Sequence, residues 1–420
     1  MRGLSRLAAV LTVLLACGES CAAPGEHSKP RTGASAVGLP VETAPPNVPS
    51  FKPAFPGQTR AMAVATRTPI KVMEIAHGFD KPWAIGFLPD GRMLVTEKPT
   101  GKIFVVTREG KKSLAVAGVP AVDGRDQCGL LDVKAGPDFK SSGLVYFSYC
   151  EPRKGGNGLT VARARFIDGE GPKLDGLQVI FRMQPTLDSS MQPGGRLVFT
   201  PDGKLFVTLG DRLILEGRAQ ARDPASDIGE IVRIMPDGTI PKDNPFVGMN
   251  GKRPELWSLG FRNVIGAALD DKSRLWVVEM GPRGGDELDL IQPGKDYGWP
   301  TIGYGEEYSG APIHEKTQAP GLEQPVYYWD PVIAPSGLTI YTGALFPEWK
   351  GNFLTGGLAA ESLVRLVVKG DRVTGEERLL TERRDRIRDV VQGPEGAVYL
   401  LTDDSDGKLL VLTPGTAKPK

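Results

Sequence analysis

The chain has 420 residues and a formal net charge of +1, with 40% of its residues hydrophobic and 24% charged. This balance is typical of a soluble globular protein and argues against partners that recognise a strongly charged surface, such as nucleic acid or an anionic membrane. The 53 glycines and 36 prolines argue against a mainly helical fold and favour many short strands joined by turns.

The first residues are typical of an export signal. Two arginines precede an apolar run, Leu7–Ala16, which is too short to cross a bilayer as a stable helix. The run ends in Leu-Leu-Ala-Cys, which resembles a bacterial lipobox. We therefore interpret residues 1–16 as a lipoprotein signal peptide and expect Cys17 to be lipidated. The alternative is an ordinary signal peptide cleaved near Ala22 or Ala23. Both interpretations predict export, and the first predicts a periplasmic protein held at the bacterial outer membrane by its lipid alone.

The next segment, residues 17–70, is rich in proline, alanine, serine, threonine and glycine and has few large apolar residues. Such a composition cannot bury a hydrophobic core. We therefore predict an extended tether that holds a globular body, residues 71–416, away from a membrane.

A phrase that joins a turn to a strand occurs six times in that body. Its clearest copies are Pro89–Glu97 and Pro201–Thr208, which both begin Pro-Asp-Gly. The four looser copies begin at Pro137, Asp270, Pro347 and Pro394. Six such units predict an all-β fold, a six-bladed β-propeller with four antiparallel strands in each blade. A pair of β-sandwiches is the alternative, but the recurrence of one phrase through the whole body argues against it.

Two of the four cysteines flank a predicted hairpin. Cys128 precedes the strand Leu130–Val133, and Cys150 follows the strand Leu144–Tyr149. Antiparallel pairing of these strands would bring the two sulfurs opposite each other, so a disulfide is expected in an oxidising compartment. Two buried free thiols are the alternative.

The densest stretch of unusual residues is Trp276–Pro300. It combines four glycines and prolines at 281–285 with Asp286, Glu287 and Asp289. Glycines let backbone carbonyls turn inward, and carboxylates add the oxygen ligands that calcium prefers. The stretch therefore indicates a cation site, with a tight loop between two strands as the alternative.

Many separate motifs, in the same order, resemble the soluble glucose/sorbosone dehydrogenase family and its bacterial aldose sugar dehydrogenases. The resemblance extends from Pro82 to Pro414. The motifs are Asp126–Asp132, Pro193–Leu197, Asp243–Phe246, Gly260–Asn263, Gly281–Glu287, Tyr297–Pro300, Ala334–Gly337 and Arg386–Asp389.

The resemblance implies a six-bladed propeller that holds pyrroloquinoline quinone (PQQ) with calcium and oxidises an aldose, or a related sugar alcohol, at C1 to the lactone. By position, the implied cofactor contacts are Gln127, Arg262, Asn263, Tyr308, Arg386 and Arg388. PQQ is a flat tricarboxylate quinone, and arginine forks suit carboxylates. For any one of these arginines alone, a surface ion pair is the alternative.

The same resemblance implies metal ligands. The carbonyls of Gly281 and Pro282 would hold the calcium of the cofactor, and Glu287 with the Tyr297 carbonyl would belong to a structural calcium site.

The chain departs from the family at three positions around this site. Gln192 occupies the slot of the catalytic histidine, and glutamine cannot take the proton of the anomeric hydroxyl. Ala359 stands in the slot of a cofactor-contacting lysine, and Met280 where relatives often carry a histidine. These changes suggest altered or lost chemistry. None of the three histidines of the chain replaces the lost one: His27 lies in the tether, His77 precedes the first blade, and we expect His314 at the surface.

Three functions are compatible with these residues. The first is a PQQ- and calcium-dependent sugar dehydrogenase whose proton acceptor is a water or a nearby aspartate, with Asp188 and Asp211 as candidates. The second is a degenerate propeller that binds cofactor or carbohydrate without turnover. The third is a calcium-dependent lactonase, which the arginines disfavour because they suit an anionic cofactor. For the dehydrogenase, electrons would leave to a separate acceptor, a quinone or a cytochrome.

Overall fold

The computed structural model describes residues 38–416, which form 24 strands in six antiparallel sheets of four. The first strands of neighbouring sheets contact each other in a closed ring. The chain is therefore a six-bladed β-propeller, as the repeated phrase predicts, and not a pair of sandwiches. The predicted signal peptide, Cys17 and His27 lie outside the described residues.

The chain enters the propeller at β1 (Ile70–Phe79), which joins the last blade. The next three blades follow in chain order, each written from the central channel outwards. Blade 1 is β2 (Pro82–Phe87), β3 (Met93–Glu97), β4 (Lys102–Val106) and β5 (Lys112–Ala115). Blade 2 is β6 (Leu130–Ala135), β7 (Leu144–Arg153), β8 (Gly156–Ile167) and β9 (Lys173–Arg182). Blade 3 is β10 (Gly194–Phe199), β11 (Leu205–Leu209), β12 (Ile231–Ile234) and β13 (Leu256–Ser258).

The remaining blades close the ring. Blade 4 is β14 (Val264–Leu269), β15 (Leu275–Glu279), β16 (Asp286–Ile291) and β17 (Tyr327–Trp329). Blade 5 is β18 (Pro335–Ile340), β19 (Phe353–Gly357), β20 (Ser362–Lys369) and β21 (Arg372–Leu379). Blade 6 is β22 (Ile387–Gln392), β23 (Val398–Thr402) and β24 (Gly407–Pro414), with β1 as its outer strand. Because β1 pairs with β24, the first and last strands of the described chain close the circle.

Helical structure is short: α1 (Phe139–Ser142), α2 (Leu215–Arg218) and a 3-10 turn at Pro347–Trp349. Within residues 38–416, no helix is long and apolar enough to cross a membrane.

Each of the six repeated phrases forms the turn before the second strand of a blade and that strand itself. The first two strands of every blade are antiparallel, so the start of the first and the end of the second lie at the same face. We call this face the mouth. It gathers the residues just before each first strand and just after each second strand.

A buried ionic cluster lies in the channel between its two ends. Arg196 on β10 contacts Asp132 on β6 at 3.4 Å and Asp389 on β22 at 3.1 Å. Its guanidinium also lies 4.3 Å from the centre of the Trp83 ring. This cluster separates the mouth from a cavity of about 290 Å³ toward the other end of the channel. We call the space on the mouth side of this cluster the bowl.

Residues 38–69, which the composition assigns to a tether, pack on the propeller instead. Gln58 is fully buried and donates to the Pro325 carbonyl at 2.9 Å. Arg60 donates to the Asp330 carbonyl at 2.8 Å, and Val64 donates to the Glu376 carbonyl of β21 at 3.0 Å. This part of the segment is held by single polar side chains and edge-strand pairing rather than by a core of its own.

Cys128 and Cys150 are joined by a disulfide that spans the hairpin of β6 and β7. Their sequence separation is 22 residues. Because a cross-link restricts the unfolded chain, we expect the double variant Cys128→Ala/Cys150→Ala to lose about 3 kcal/mol of unfolding free energy, measured by urea denaturation. Reducing the parent protein should give the same loss. Equal stability of the variant and the oxidised parent would contradict the expectation.

Candidate active site at the mouth

Arg262 is the centre of one half of the mouth. It stands just before Asn263 and β14, and only 2% of the residue is exposed. Its Nη1 donates to the carbonyl of Met280 at 2.9 Å and to that of Gly281 at 2.7 Å. Both acceptors follow the second strand of the same blade. The guanidinium thus fixes the glycine-rich turn that follows β15.

Gln192 lies against this guanidinium. In the amide orientation that satisfies its neighbours, Gln192 Oε1 accepts from Arg262 Nη1 at 2.9 Å and from Nη2 at 2.8 Å, and its Nε2 donates to Asp211 Oδ1. The backbone of Gln192 has a φ of 44°, a left-handed conformation that is strained for a residue with a side chain. Its N–H donates to Gln127 Oε1 at 3.0 Å. The residue in the histidine slot is therefore held on three sides.

Asp211 is the buried carboxylate behind Gln192. It follows β11, is fully buried, and accepts from Trp299 Nε1 at 2.8 Å. Burial raises the pKa of Asp211, although the positive charge of Arg262 opposes this shift. The side chain of the other candidate, Asp188, is 78% exposed and lies 3.7 Å from Arg125. Of the two aspartates, only Asp211 contacts the slot.

Two further predicted cofactor contacts lie in the same half. Asn263 Oδ1 accepts from the Gly194 N–H at 3.2 Å, which joins blades 3 and 4. Tyr308 is 54% exposed, and its hydroxyl lies 3.4 Å from Arg262 Nη2. The structure therefore brings Gln127, Gln192, Arg262, Asn263 and Tyr308 together through direct contacts.

Arg386 and Arg388 form a separate group at the blade 6 side of the mouth. Both contact Asp403, at 3.1 Å and 3.0 Å, just after the second strand of that blade. Arg386 also donates to the Leu358 carbonyl at 3.0 Å. Although burial of Asp403 favours its neutral form, Arg388 and Arg386 hold its pKa at about 2. The charge of Asp403 thus positions both arginines.

This pairing predicts a pH-dependent stability. The folded pKa of Asp403 is lower than its ordinary value of 3.8, so its contribution is present above about pH 4 and is lost as the pH falls toward 2. A shift from 3.8 to about 2 corresponds to about 2 kcal/mol. We expect Asp403→Asn to lower the unfolding free energy by about this amount at neutral pH and by less near pH 3, measured by urea denaturation. A loss that stays the same at both pH values would contradict the assignment.

A cluster of three buried carboxylates lies behind the glycine-rich turn. Glu279, Glu287 and Asp289 place one oxygen each within 4.8 Å of one another. Burial raises the pKa of all three, and Asp289 also raises that of Glu287. Within the described residues, neither oxygen of Asp289 has a hydrogen-bond partner. Such crowded carboxylates suit an oxygen-preferring cation.

A small pocket of about 20 Å³ adjoins this cluster. It brings together Glu279, Glu287, Tyr297 and the turn residues Gly281 and Pro282. The Gly281 carbonyl, one of the ligands implied for the cofactor's calcium, already accepts from Arg262 Nη1. The predicted metal residues are therefore neighbours, but one of their oxygens is shared with an arginine.

The other two positions that depart from the family, Met280 and Ala359, have ordinary structural environments. Met280 donates its N–H to the Asn263 carbonyl at 3.1 Å, and exposed Ala359 donates to the Ile333 carbonyl at 2.9 Å. The expectation that His314 lies at the surface is wrong. It is 5% exposed, stacks on Phe51 of the N-terminal segment at 5.6 Å, and burial lowers its pKa to about 4. His77 is exposed and contacts Asp406 at 3.4 Å.

Sequence reasoning missed Glu279, Lys98 and Asp403. Strand alternation gives a signal for Glu279, because it pairs in register with Glu287 across β15 and β16. Lys98 and Asp403 each follow the second strand of a blade, so the repeat already places them at the mouth.

Comparison with known proteins gives a consistent result. The family model for Glucose / Sorbosone dehydrogenase matches residues 79–411. The aldose sugar dehydrogenase YliI of Escherichia coli is 39% identical over 348 residues, which cover 82% of this chain and 93% of the relative. Quinoprotein glucose dehydrogenase B of Acinetobacter calcoaceticus is 28% identical over 407 residues, covering 78% and 84%. The PQQ-bound aldose sugar dehydrogenase structure from Streptomyces coelicolor has a TM-score of 0.69 at 28% identity, covering 83% and 99%.

Proposed function

The chain belongs to the Glucose / Sorbosone dehydrogenase family, and from this premise we propose that it is a sugar oxidoreductase that uses PQQ and calcium. Its substrate would be an aldose or a related sugar alcohol, oxidised at C1 to the lactone. Relatives named as an aldose sugar dehydrogenase and a quinoprotein glucose dehydrogenase support this proposal, as does the PQQ-bound neighbour.

The observation that carries the proposal is the charge at the mouth. Arg262 precedes the first strand of blade 4 at the mouth, and Arg386 and Arg388 lie at the blade 6 side of the same face. Arg386 and Arg388 share a single carboxylate, that of Asp403. A planar tricarboxylate can take bidentate hydrogen bonds from guanidinium groups, whereas a neutral sugar alone would leave their charge without a counterion.

When bound, PQQ would supply the acceptor for the two electrons that leave the sugar. Arg262, Gln127 and Asn263 would hold it on one side, and Arg386 and Arg388 on the other. Gln192 can orient the sugar hydroxyl through its amide but cannot take the proton. We propose Asp211 as the proton acceptor, because it is the carboxylate in contact with Gln192. Its oxygens already accept from Gln192 and Trp299, so we expect slow turnover.

Calcium fits the donor set behind the turn. The oxygens of Asp289, which have no hydrogen-bond partner within residues 38–416, join Glu279 and Glu287 in offering the negative oxygen ligands that calcium prefers. We propose that this cluster holds a structural calcium and that the Gly281 and Pro282 carbonyls face the cofactor's calcium.

The variant Asp289→Asn tests the structural calcium, because its expected effect on stability differs between the calcium-free and the calcium-bound protein. Without calcium, Asp289→Asn should raise the unfolding free energy by about 2 kcal/mol, because burial raises the pKa of Asp289, so folding at neutral pH has to protonate this carboxylate, a cost that the amide avoids. With calcium, the parent should be stabilised and the variant should not. The measurement is thermal unfolding with EDTA and with added calcium. Equal calcium effects on the parent and the variant would argue against this site.

Gln192 favours a second candidate, a propeller that binds the cofactor or carbohydrate without turnover. Its side chain is locked between Arg262 and Asp211, so in this arrangement no titratable side chain occupies the histidine slot. Binding and turnover therefore have to be measured separately.

The decisive experiment adds PQQ and calcium to purified apoprotein and records the spectrum of bound quinone. It then follows dye reduction with a panel of aldoses. Bound quinone and dye reduction support the dehydrogenase. Bound quinone without dye reduction supports the second candidate. Absence of bound quinone contradicts both forms of the cofactor proposal.

We further propose that the protein is exported to the periplasm and lipid-anchored through Cys17. Its electrons would pass to a separate quinone or cytochrome. The apolar run Leu7–Ala16 and its lipobox-like end at Cys17 support this proposal.

A further inference from the structure

Lys98 is a buried lysine at the mouth, and the proposed function gives it no role. It follows Glu97, the last residue of the second strand of blade 1, and is 7% exposed. Its backbone is fixed by the neighbouring blade, since the Leu130 N–H donates to the Lys98 carbonyl at 2.9 Å. Its position is equivalent to that of Asp403, which directly follows the second strand of blade 6.

The ammonium group of Lys98 has spare hydrogen-bonding capacity. An ammonium carries three N–H donors. One donates to the carbonyl of Asp126, the residue that precedes Gln127. In the described part of the chain, no carboxylate lies within ion-pair distance of Lys98 Nζ. A buried cation in this state is stabilised by an anionic partner.

The charges around Lys98 also favour an anionic ligand at this position. Burial lowers the pKa of Lys98 to about 8, with Arg388 and Lys81 adding to the decrease and Asp403 and Asp126 opposing it. Lys98, Arg386 and Arg388 thus occupy one side of the mouth with Asp403 as the carboxylate that pairs with the arginines. Even with Lys98 partly neutral near this pKa, the group carries an excess of positive charge.

We propose that Lys98 binds an anionic oxygen of the cofactor, between Gln127 on one side and Arg388 on the other. This inference rests on the proposed PQQ function and assigns to it one residue more. Exposed Ala359, in the turn after β19 of blade 5, stands in the slot of the family's lysine and offers no cation there. Lys98 would provide a cation from blade 1 instead. Because Lys98 approaches from a different blade, it would also select the orientation in which the cofactor lies across the bowl.

The test measures PQQ affinity, by isothermal titration calorimetry with calcium present, for the parent and three variants. Lys98→Met should weaken binding about tenfold or more, because a charge-assisted hydrogen bond to a buried group is lost. Lys98→Arg should retain most of the affinity, since it keeps the charge. Lys102→Met, an exposed lysine on β4 of the same blade, is the matched control and should bind as the parent does.

Proton linkage gives a readout that a merely structural role would not affect. Near the pKa of Lys98, binding of an anion should protonate the lysine, so the parent should take up protons when PQQ binds. Titrations in two buffers of unlike ionisation enthalpy measure this uptake. It should be absent in Lys98→Arg, whose guanidinium stays charged. This readout remains decisive if Lys98→Met fails to fold.

The outcomes separate the two claims. If the parent fails to bind PQQ, the proposed function is wrong and this inference falls with it. If the parent binds PQQ but folded Lys98→Met binds equally well, or if the parent takes up no protons, the role of Lys98 alone is overturned.

Discussion

Replacing Gln192 with histidine should raise the turnover number of the PQQ-loaded protein about a hundred- to ten-thousand-fold, the range typical of a positioned general base. Asp211 is already in place to orient the new side chain, because its Oδ1 contacts the amide of Gln192. A carboxylate that accepts from one imidazole nitrogen fixes the tautomer and leaves the other nitrogen free to take a proton. Dye reduction with a saturating aldose measures the gain.

The double variant Gln192→His/Asp211→Asn is the control for that mechanism. It should lose most of the gain, because an amide does not stabilise the charged imidazole as a carboxylate does. The activity of Gln192→His should also acquire a titration that the parent lacks, since histidine changes charge near neutral pH. If Gln192→His folds, binds PQQ and shows no gain, the placement of the slot is wrong.

Replacing Arg262 with methionine should weaken PQQ binding about a hundredfold and reduce turnover accordingly. This guanidinium contacts Gln192, the Met280 and Gly281 carbonyls and the hydroxyl of Tyr308. Its loss removes charge-assisted hydrogen bonds, which contribute about 1.5–3 kcal/mol each, and frees the turn after β15. The bound-quinone spectrum, titrated with PQQ, measures the change.

Two comparisons show whether charge or geometry is responsible. Arg262→Lys keeps the charge but lacks the planar fork, so its affinity should lie between those of the parent and Arg262→Met. Arg165→Met removes an exposed arginine on β8 and should leave PQQ binding unchanged. Parent-like affinity in folded Arg262→Met would contradict the role of Arg262 as a cofactor anchor.

The fold could be predicted because the residues that specify each blade lie close together in the sequence and recur six times. Each copy of the turn-strand phrase, such as Pro201–Thr208, specifies the turn and the second strand of a blade. Since strand direction is set by antiparallel pairing, the same phrase also determines which residues reach the mouth. Used in this way, the pattern would have identified Lys98 and Asp403 as well as Asp211.

The packing of the N-terminal segment could not be predicted from composition. Gln58 and Arg60 hold it through contacts with Pro325 and Asp330, which lie more than 260 positions away in the sequence. Nothing in a proline- and alanine-rich stretch shows that single polar side chains will find such distant partners. The burial of His314 was missed for the same reason, because its stacking partner Phe51 belongs to this segment.

The candidate site was predictable in part. The resemblance named the arginines and Gln192, but the sequence did not show that Arg262 would bond to the Gly281 carbonyl, a proposed metal ligand. It also did not show that Gln192 would adopt a left-handed backbone and bridge Arg262 and Asp211, which come from other blades or loops of the mouth.

A crystal structure of the protein with PQQ and calcium tests the central claim most directly. The account predicts quinone density in the mouth, with its carboxylates contacting Arg262 on one side and Arg386 and Arg388 on the other. It also predicts an anomalous calcium signal beside the turn at Gly281 and Pro282. Quinone bound elsewhere, or a mouth that stays empty at saturating PQQ while the arginines keep only their protein partners, would contradict it.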